Sequence, residues 1–288
     1  MNITVIGVPY DLDQPYTDKG NAPDALLEAG LVRRLGAIGG ATVRADLIDI
    51  PASDEPCETR LGHLLARVGY EVARSRAAGF FPLILGGDCL VALGALAGLL
   101  DPPNTGVVWL DAHGDFNTPE TTISGYLGGM PLACAVGRGL DELRERSTLA
   151  APVPERNVAL IGTRDLDPPE ERALAASSVM QIRADDLGSD PAVLDRTLHA
   201  LGSLPNLYLH VDIDVLDPSE APGVDYPAAG GLRLAQLQTI VQQIVGLGNL
   251  KALALTAVNP GKDVGGRTVR AALDVIEAAL SRVMSYEL

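Results

Sequence analysis

Two short stretches of this 288-residue chain gather acids in a pattern that chemistry can use. One reads Asp111-Ala-His113-Gly-Asp115-Phe-Asn117, the other His210-Val-Asp212-Ile-Asp214-Val-Leu-Asp217-Pro218. Alternate residues of an extended backbone point the same way. Asp111, His113 and Asp115 are therefore expected to converge, and so are Asp212 and Asp214. Four carboxylates and an imidazole in one place repel and lose hydration unless cations neutralise them. Bridging carboxylates with one nitrogen donor describe a two-metal site for hard or borderline divalent ions. The competing reading, turn and capping aspartates beside a hydrogen-bonded histidine, suits either stretch alone better than both together.

A third stretch reads Gly86-Gly87-Asp88-Cys89-Leu90. Two glycines permit a tight turn and a close backbone approach, which puts Cys89 at the start of the next helix. Its thiol could serve as metal ligand, nucleophile or small buried apolar group. Neighbouring carboxylates raise a thiol pKa unless a metal offsets them, which favours the ligand. Cys57 and Cys134 lack acidic company and read as packing or surface thiols. His210 shares a strand face with Asp212 and Asp214, where it would either support them from behind or move protons. His63 and His199 lie in helical stretches and read as surface residues.

Elements that could hold these groups recur along the chain. Apolar strand-like runs occur at 3–8, 42–48, 81–85, 106–110, 158–162, 179–182, 207–211 and 250–255. Between most of them lie segments of helical period, such as 61–78, 191–201 and 234–245. Several runs are unbroken rather than alternating, the signature of strands buried on both faces, and strand-helix-strand repeats make the sheet parallel. Apolar residues at 47% with aromatics at only 4% suit such a core. No linker, repeat or break in composition divides the chain, so residues 1–288 are expected to form one domain. Gly and Pro cluster at 119–131, 166–169 and 217–231, after strand ends, where open α/β sheets bind ligands.

Charge and termini exclude other classes. A net charge of −15 repels phosphate backbones and anionic lipid, so neither nucleic acid nor membrane is an expected partner. The first residues carry no secretory pattern, no apolar run spans a bilayer, and an odd number of cysteines suggests a reducing compartment. A cytoplasmic protein is expected.

The three acidic stretches resemble the arginase–agmatinase (ureohydrolase) superfamily, whose strand ends carry GGDH, DAHxD and DxDxxDP. Here those motifs read GGDC at 86–89, DAHGD at 111–115 and DIDVLDP at 212–218. The resemblance runs from about residue 3 to 284 and implies a three-layer α/β/α sandwich with an eight-stranded parallel sheet. It implies two manganese ions, one held by Cys89, Asp111, Asp115 and Asp212, the other by His113, Asp111, Asp212 and Asp214. The water they share would attack a guanidine carbon as hydroxide, oriented by Asp115. Oxygen-rich ligation agrees with manganese, although one thiolate shifts preference toward zinc, iron or cobalt. Asn117 and Ser124 match the arginase loop that binds the α-carboxylate. Asp167 matches the aspartate that receives the α-amino group. The implied partner is thus a small-molecule guanidino amino acid, with the oligomeric state left open.

Three positions depart from the family pattern. Cys89 replaces a metal-binding histidine, Gly128 a histidine proton shuttle, and Ala257 a glutamate that pairs with the guanidinium. A less basic guanidine needs the last two groups less, and N-hydroxylation lowers that basicity. The departures resemble the Nω-hydroxy-L-arginine amidinohydrolases of D-cycloserine biosynthesis, a branch that releases hydroxyurea and L-ornithine. An ordinary arginase and a metal-binding pseudoenzyme are the alternatives. Gly128→His with Ala257→Glu is expected to narrow the preference for the hydroxylated substrate over arginine.

Overall fold

The computed structural model describes residues 2–284. Its main sheet has eight strands: β1 (Asn2–Val8), β2 (Val43–Leu47), β3 (Phe80–Gly86), β4 (Thr105–Leu110), β5 (Val158–Thr163), β6 (Met180–Arg183), β7 (Asn206–Asp212) and β8 (Leu250–Thr256). They lie in the order β2-β1-β3-β8-β7-β4-β5-β6, and every neighbouring pair is parallel. Each apolar run of the sequence becomes one of these strands.

Alternation along the strands feeds two separate cores. Ile3, Val5, Leu83, Leu85, Leu209 and Val211 pack on one face with the helices Pro191–Gly202, Leu234–Val245 and Arg267–Met284. Ile6, Val8, Ile84, Trp109 and Tyr208 pack on the other with Cys57–Ala77 and Val91–Leu99. The molecule is therefore a three-layer α/β/α sandwich. The helix expected from Leu61 begins a turn earlier, at Cys57 after Pro56, because its polar first turn carries no apolar period to read. Among the described residues no helix is long and apolar enough to cross a membrane.

Parallel strands end on the same edge, so their following loops meet there. β3, β8, β7 and β4 are adjacent at the centre of the sheet. Their ends lead into Cys89, Ala257, Asp214 and Asp115 respectively. A hairpin absent from the sequence reading, Tyr10–Asp11 with Gln14–Pro15, folds over this edge after β1. Asp88 ties it down, accepting from Leu12 N at 2.6 Å and from Leu90 N at 2.8 Å. Gly87 is required at this crossing, because a Cβ there would lie 2.1 Å from the Tyr10 carbonyl oxygen. Backbone, not a flexible side chain, stands in the way. Gly87→Ala should therefore cost about 1–3 kcal/mol of stability, the usual range for overpacking, read as a lowered thermal midpoint. An unchanged midpoint would show that the hairpin yields freely.

Candidate metal centre and substrate pocket

The acidic stretches do converge, but strand alternation is not the cause. β4 stops at Leu110, and Asp115 turns back through a left-handed conformation with φ of 48°. Asp214 sits in the helical turn Ile213–Val215, and its N–H donates to Asp212 Oδ1 at 2.8 Å. Tight turns bring the carboxylates round.

The donor atoms of Cys89, Asp111 and Asp115 lie within 4.8 Å of one another, and so do those of Asp111, His113 and Asp214. Asp111 is common to both trios. It has no solvent exposure, and it accepts from Trp109 Nε1 at 3.0 Å and His113 N at 2.7 Å. His113 Nδ1 stands 3.1 Å from Asp214 Oδ2 and 3.4 Å from Asp111 Oδ1. Asp212 belongs to neither trio but touches both: its Oδ2 is 3.1 Å from Cys89 Sγ, and its Oδ1 holds Asp214.

Burial, reinforced by the surrounding acids, pushes the Cys89 thiol and the Asp115 and Asp212 carboxyls well above their ordinary pKa ranges. Burial would lower His113, yet Asp111 and Asp214 together raise it to about 12. One imidazole does not satisfy the cluster. Asp115 Oδ2 is buried and has no hydrogen-bond partner. An orphaned carboxylate oxygen beside thiol, imidazole and further carboxylates is a donor set that divalent ions fit.

Above this cluster opens a cavity of about 450 Å³, and Asn117, Ser124 and Asp167 all line it. Asn117 Nδ2 donates to Asp167 Oδ2 at 3.2 Å, which joins two of the three expected substrate contacts. Gly128 and Ala257 line the same cavity, and Ala257 holds a φ of 67° that a Cβ makes costly. A histidine at 128 requires the Tyr126 side chain to move aside. A Cβ there would meet the Tyr126 ring at 2.4 Å. His210 lies outside the cavity wall. Fully buried, it stacks on Trp109 at 3.8 Å and bonds Tyr208 Oη at 3.0 Å, while burial lowers it to about 3. It packs behind the acidic cluster and does not face the cavity.

Residues of the wall that escaped the sequence reading include Lys19, Tyr126, Glu170, Asp225 and Tyr226. Glu170 accepts from Phe116 N at 2.8 Å and lies against Gly114, bracing the 111–115 loop. Burial lifts its carboxyl to about 7. Arg164, also unread in the sequence, donates through its guanidinium to the carbonyls of Gly162, Asp214, Val215, Leu216 and Ala228. It clamps the turn that presents Asp214.

The Arginase family model matches residues 1–281. The chain belongs to the arginase family. It is 35% identical to the arginase of Bacillus subtilis (strain 168) over 292 residues, covering 97% of this chain and 98% of that one. It is 32% identical to the arginase of Bacillus caldovelox, covering 94% and 95%. The crystal structure of arginase from Bacillus cereus superposes with a TM-score of 0.89 at 31% identity, over 97% and 98% of the two chains. As an arginase-family ureohydrolase, it is a hydrolase acting on carbon–nitrogen bonds of linear amidines. The arginase-family frame makes the Arg164 clamp testable. Lysine cannot reproduce a planar fork of donors, so Arg164→Lys should lose about 2–4 kcal/mol as carbonyls go unpaired. Equal thermal midpoints for both proteins would show that the clamp is dispensable.

Proposed function

We propose that this protein is a binuclear-metal amidinohydrolase that cleaves Nω-hydroxy-L-arginine to hydroxyurea and L-ornithine, serving antibiotic biosynthesis of the D-cycloserine type. The carrying observation is that positions 128 and 257 of the cavity wall hold Gly128 and Ala257, which supply no imidazole and no carboxylate from those two places. Cys89, Asp111, Asp115 and Asp212 would hold one ion, and His113, Asp111, Asp212 and Asp214 the other, with manganese the first choice. When bound, such ions act as Lewis acids and bring the pKa of a water to near neutrality.

The protein's own groups do the rest. With its buried Oδ2 left to an ion, Asp115 accepts a hydrogen bond from the attacking water on its other carboxylate oxygen and aims it at the guanidine carbon. A C–O bond forms, the bond from carbon to the δ-nitrogen breaks, and that nitrogen leaves as the ornithine amine with the water's proton. Asn117 and Ser124 receive the α-carboxylate. Asp167, held by Asn117, receives the α-amino group.

The arginases among its relatives favour a second reading, in which arginine itself is the substrate. Substrate preference separates the two. Each absent acid–base group costs typically ~10²–10⁴-fold, and the loss falls on the more basic guanidine. The kcat/KM for Nω-hydroxy-L-arginine should exceed that for L-arginine at least ~100-fold, about 2.7 kcal/mol. Equal values would return the chain to ordinary arginine hydrolysis. Metal content offers an independent check. Asp111→Ala, which removes the carboxylate common to both trios, should retain about one ion or none. Two tightly held ions in that variant would overturn the ligand assignment.

A further inference from the structure

The space above Gly128 is taken. A Cβ at that position would meet Tyr126 Cε1, Cζ and Oη at 2.4, 2.5 and 2.6 Å. The phenol thus stands where a side chain at 128 would begin. It is held there from behind. Lys19 Nζ donates to Tyr126 Oη at 2.8 Å and faces Asp11 Oδ1 at 3.3 Å and Asp225 Oδ2 at 3.5 Å. An ammonium has three N–H bonds and no lone pair, so these three partners use all it has. Lys19 is only 4% exposed, and the rings of Tyr126 and Tyr226 flank its nitrogen at 5.3 and 5.7 Å.

Since Lys19 can only donate, the Tyr126 oxygen accepts and its own O–H must point elsewhere. Among the described residues that O–H meets no acceptor, and Tyr126 lines the cavity with Asp115 and Gly128. We infer that Tyr126, oriented by Lys19, donates a hydrogen bond to the oxygen on the terminal guanidine nitrogen of the substrate and thereby sets which guanidine the site prefers. This rests on the hydroxyguanidine reading and gives it a residue. Burial, with Asp88 adding, keeps the phenol above the ordinary tyrosine range, so it serves as a donor and not as a base. Unmodified arginine presents only N–H groups at this point and leaves the phenol proton unpaired. A site built to pair with a substrate hydroxyl discriminates against the analogue lacking it for that reason. Lys19 is a positioning residue.

Tyr126→Phe tests this, because it keeps the ring above Gly128 and removes only the hydroxyl. The measurement is kcat/KM for Nω-hydroxy-L-arginine and for L-arginine, in the native and variant proteins, with metal content and thermal midpoint recorded. The ratio of the two constants should fall ~10–100-fold in the variant, the loss lying on the hydroxylated substrate. Gly128→Ala, whose methyl displaces the phenol, should lower the ratio in the same direction, which covers the case of a poorly folded Tyr126→Phe. Lys19→Met should lower it in the native background and leave it unchanged when added to Tyr126→Phe. A native preference for the hydroxylated substrate that survives Tyr126→Phe at full strength would overturn the role of Tyr126 while the functional reading stands. Absence of that preference in the native protein would overturn the reading, and the hydroxyl contact with it.

Discussion

Buried negative charge at one edge of the sheet is the constraint that organises this molecule. Asp111, Asp115, Asp212 and Asp214 are all buried, and Cys89 lies among them. Two like charges about 4 Å apart repel by about 4 kcal/mol at an effective dielectric of about 20. Several such pairs together exceed what one imidazole at His113 can offset. The protein meets part of this with donors, from Trp109 Nε1, Ala112 N, His113 N and Asp214 N. Asp115 Oδ2 is left over. Cations would complete what the hydrogen bonds begin, and rigid loops keep the acids together in the meantime. The Arg164 clamp and the Glu170 brace supply that rigidity from outside the cluster.

Much of this was legible in the sequence, and the reasons differ by level. Strands buried on both faces write themselves as unbroken apolar runs, so all eight were visible. The members of the acidic cluster were visible because acids and histidine at short spacing are improbable without a shared task. The means of convergence was not. Alternation along a strand is the simplest geometry that brings i and i+2 together, but here a left-handed Asp115 and a helical turn at Asp214 do it. Neither conformation has an unambiguous local signature. Lys19, Tyr126 and Glu170 were invisible for another reason. Lys19 meets Tyr126 across 107 positions, and Glu170 meets Phe116 across 54. A lone lysine before Gly20, or a glutamate in a helix's first turn, reads as surface or dipole compensation until the fold brings its partner.

Gly128 is therefore coupled to its surroundings and is not an isolated gap in the wall. Gly128 and Tyr126 exclude each other: with a side chain at one position, the other cannot keep its place. Tyr126 in turn needs Lys19, and Lys19 needs Asp11 and Asp225 to be buried at all. A substitution at 128 alone would meet a phenol held in place by residues of two other segments.

Ala257, in the same cavity wall, follows a different logic. Its left-handed backbone costs a residue with a Cβ roughly 1–2 kcal/mol, yet the conformation is retained. Its N–H donates to the Gly87 carbonyl at 3.1 Å, closing β8 onto the turn that carries Cys89. The backbone at 257 thus serves the metal-ligand side of the site while its side chain faces the cavity. Backbone geometry at 257 is fixed by the Cys89 turn, so the side chain there can vary without disturbing the charged cluster. That separation lets one scaffold keep its anionic centre constant and change the wall against which a guanidine is read.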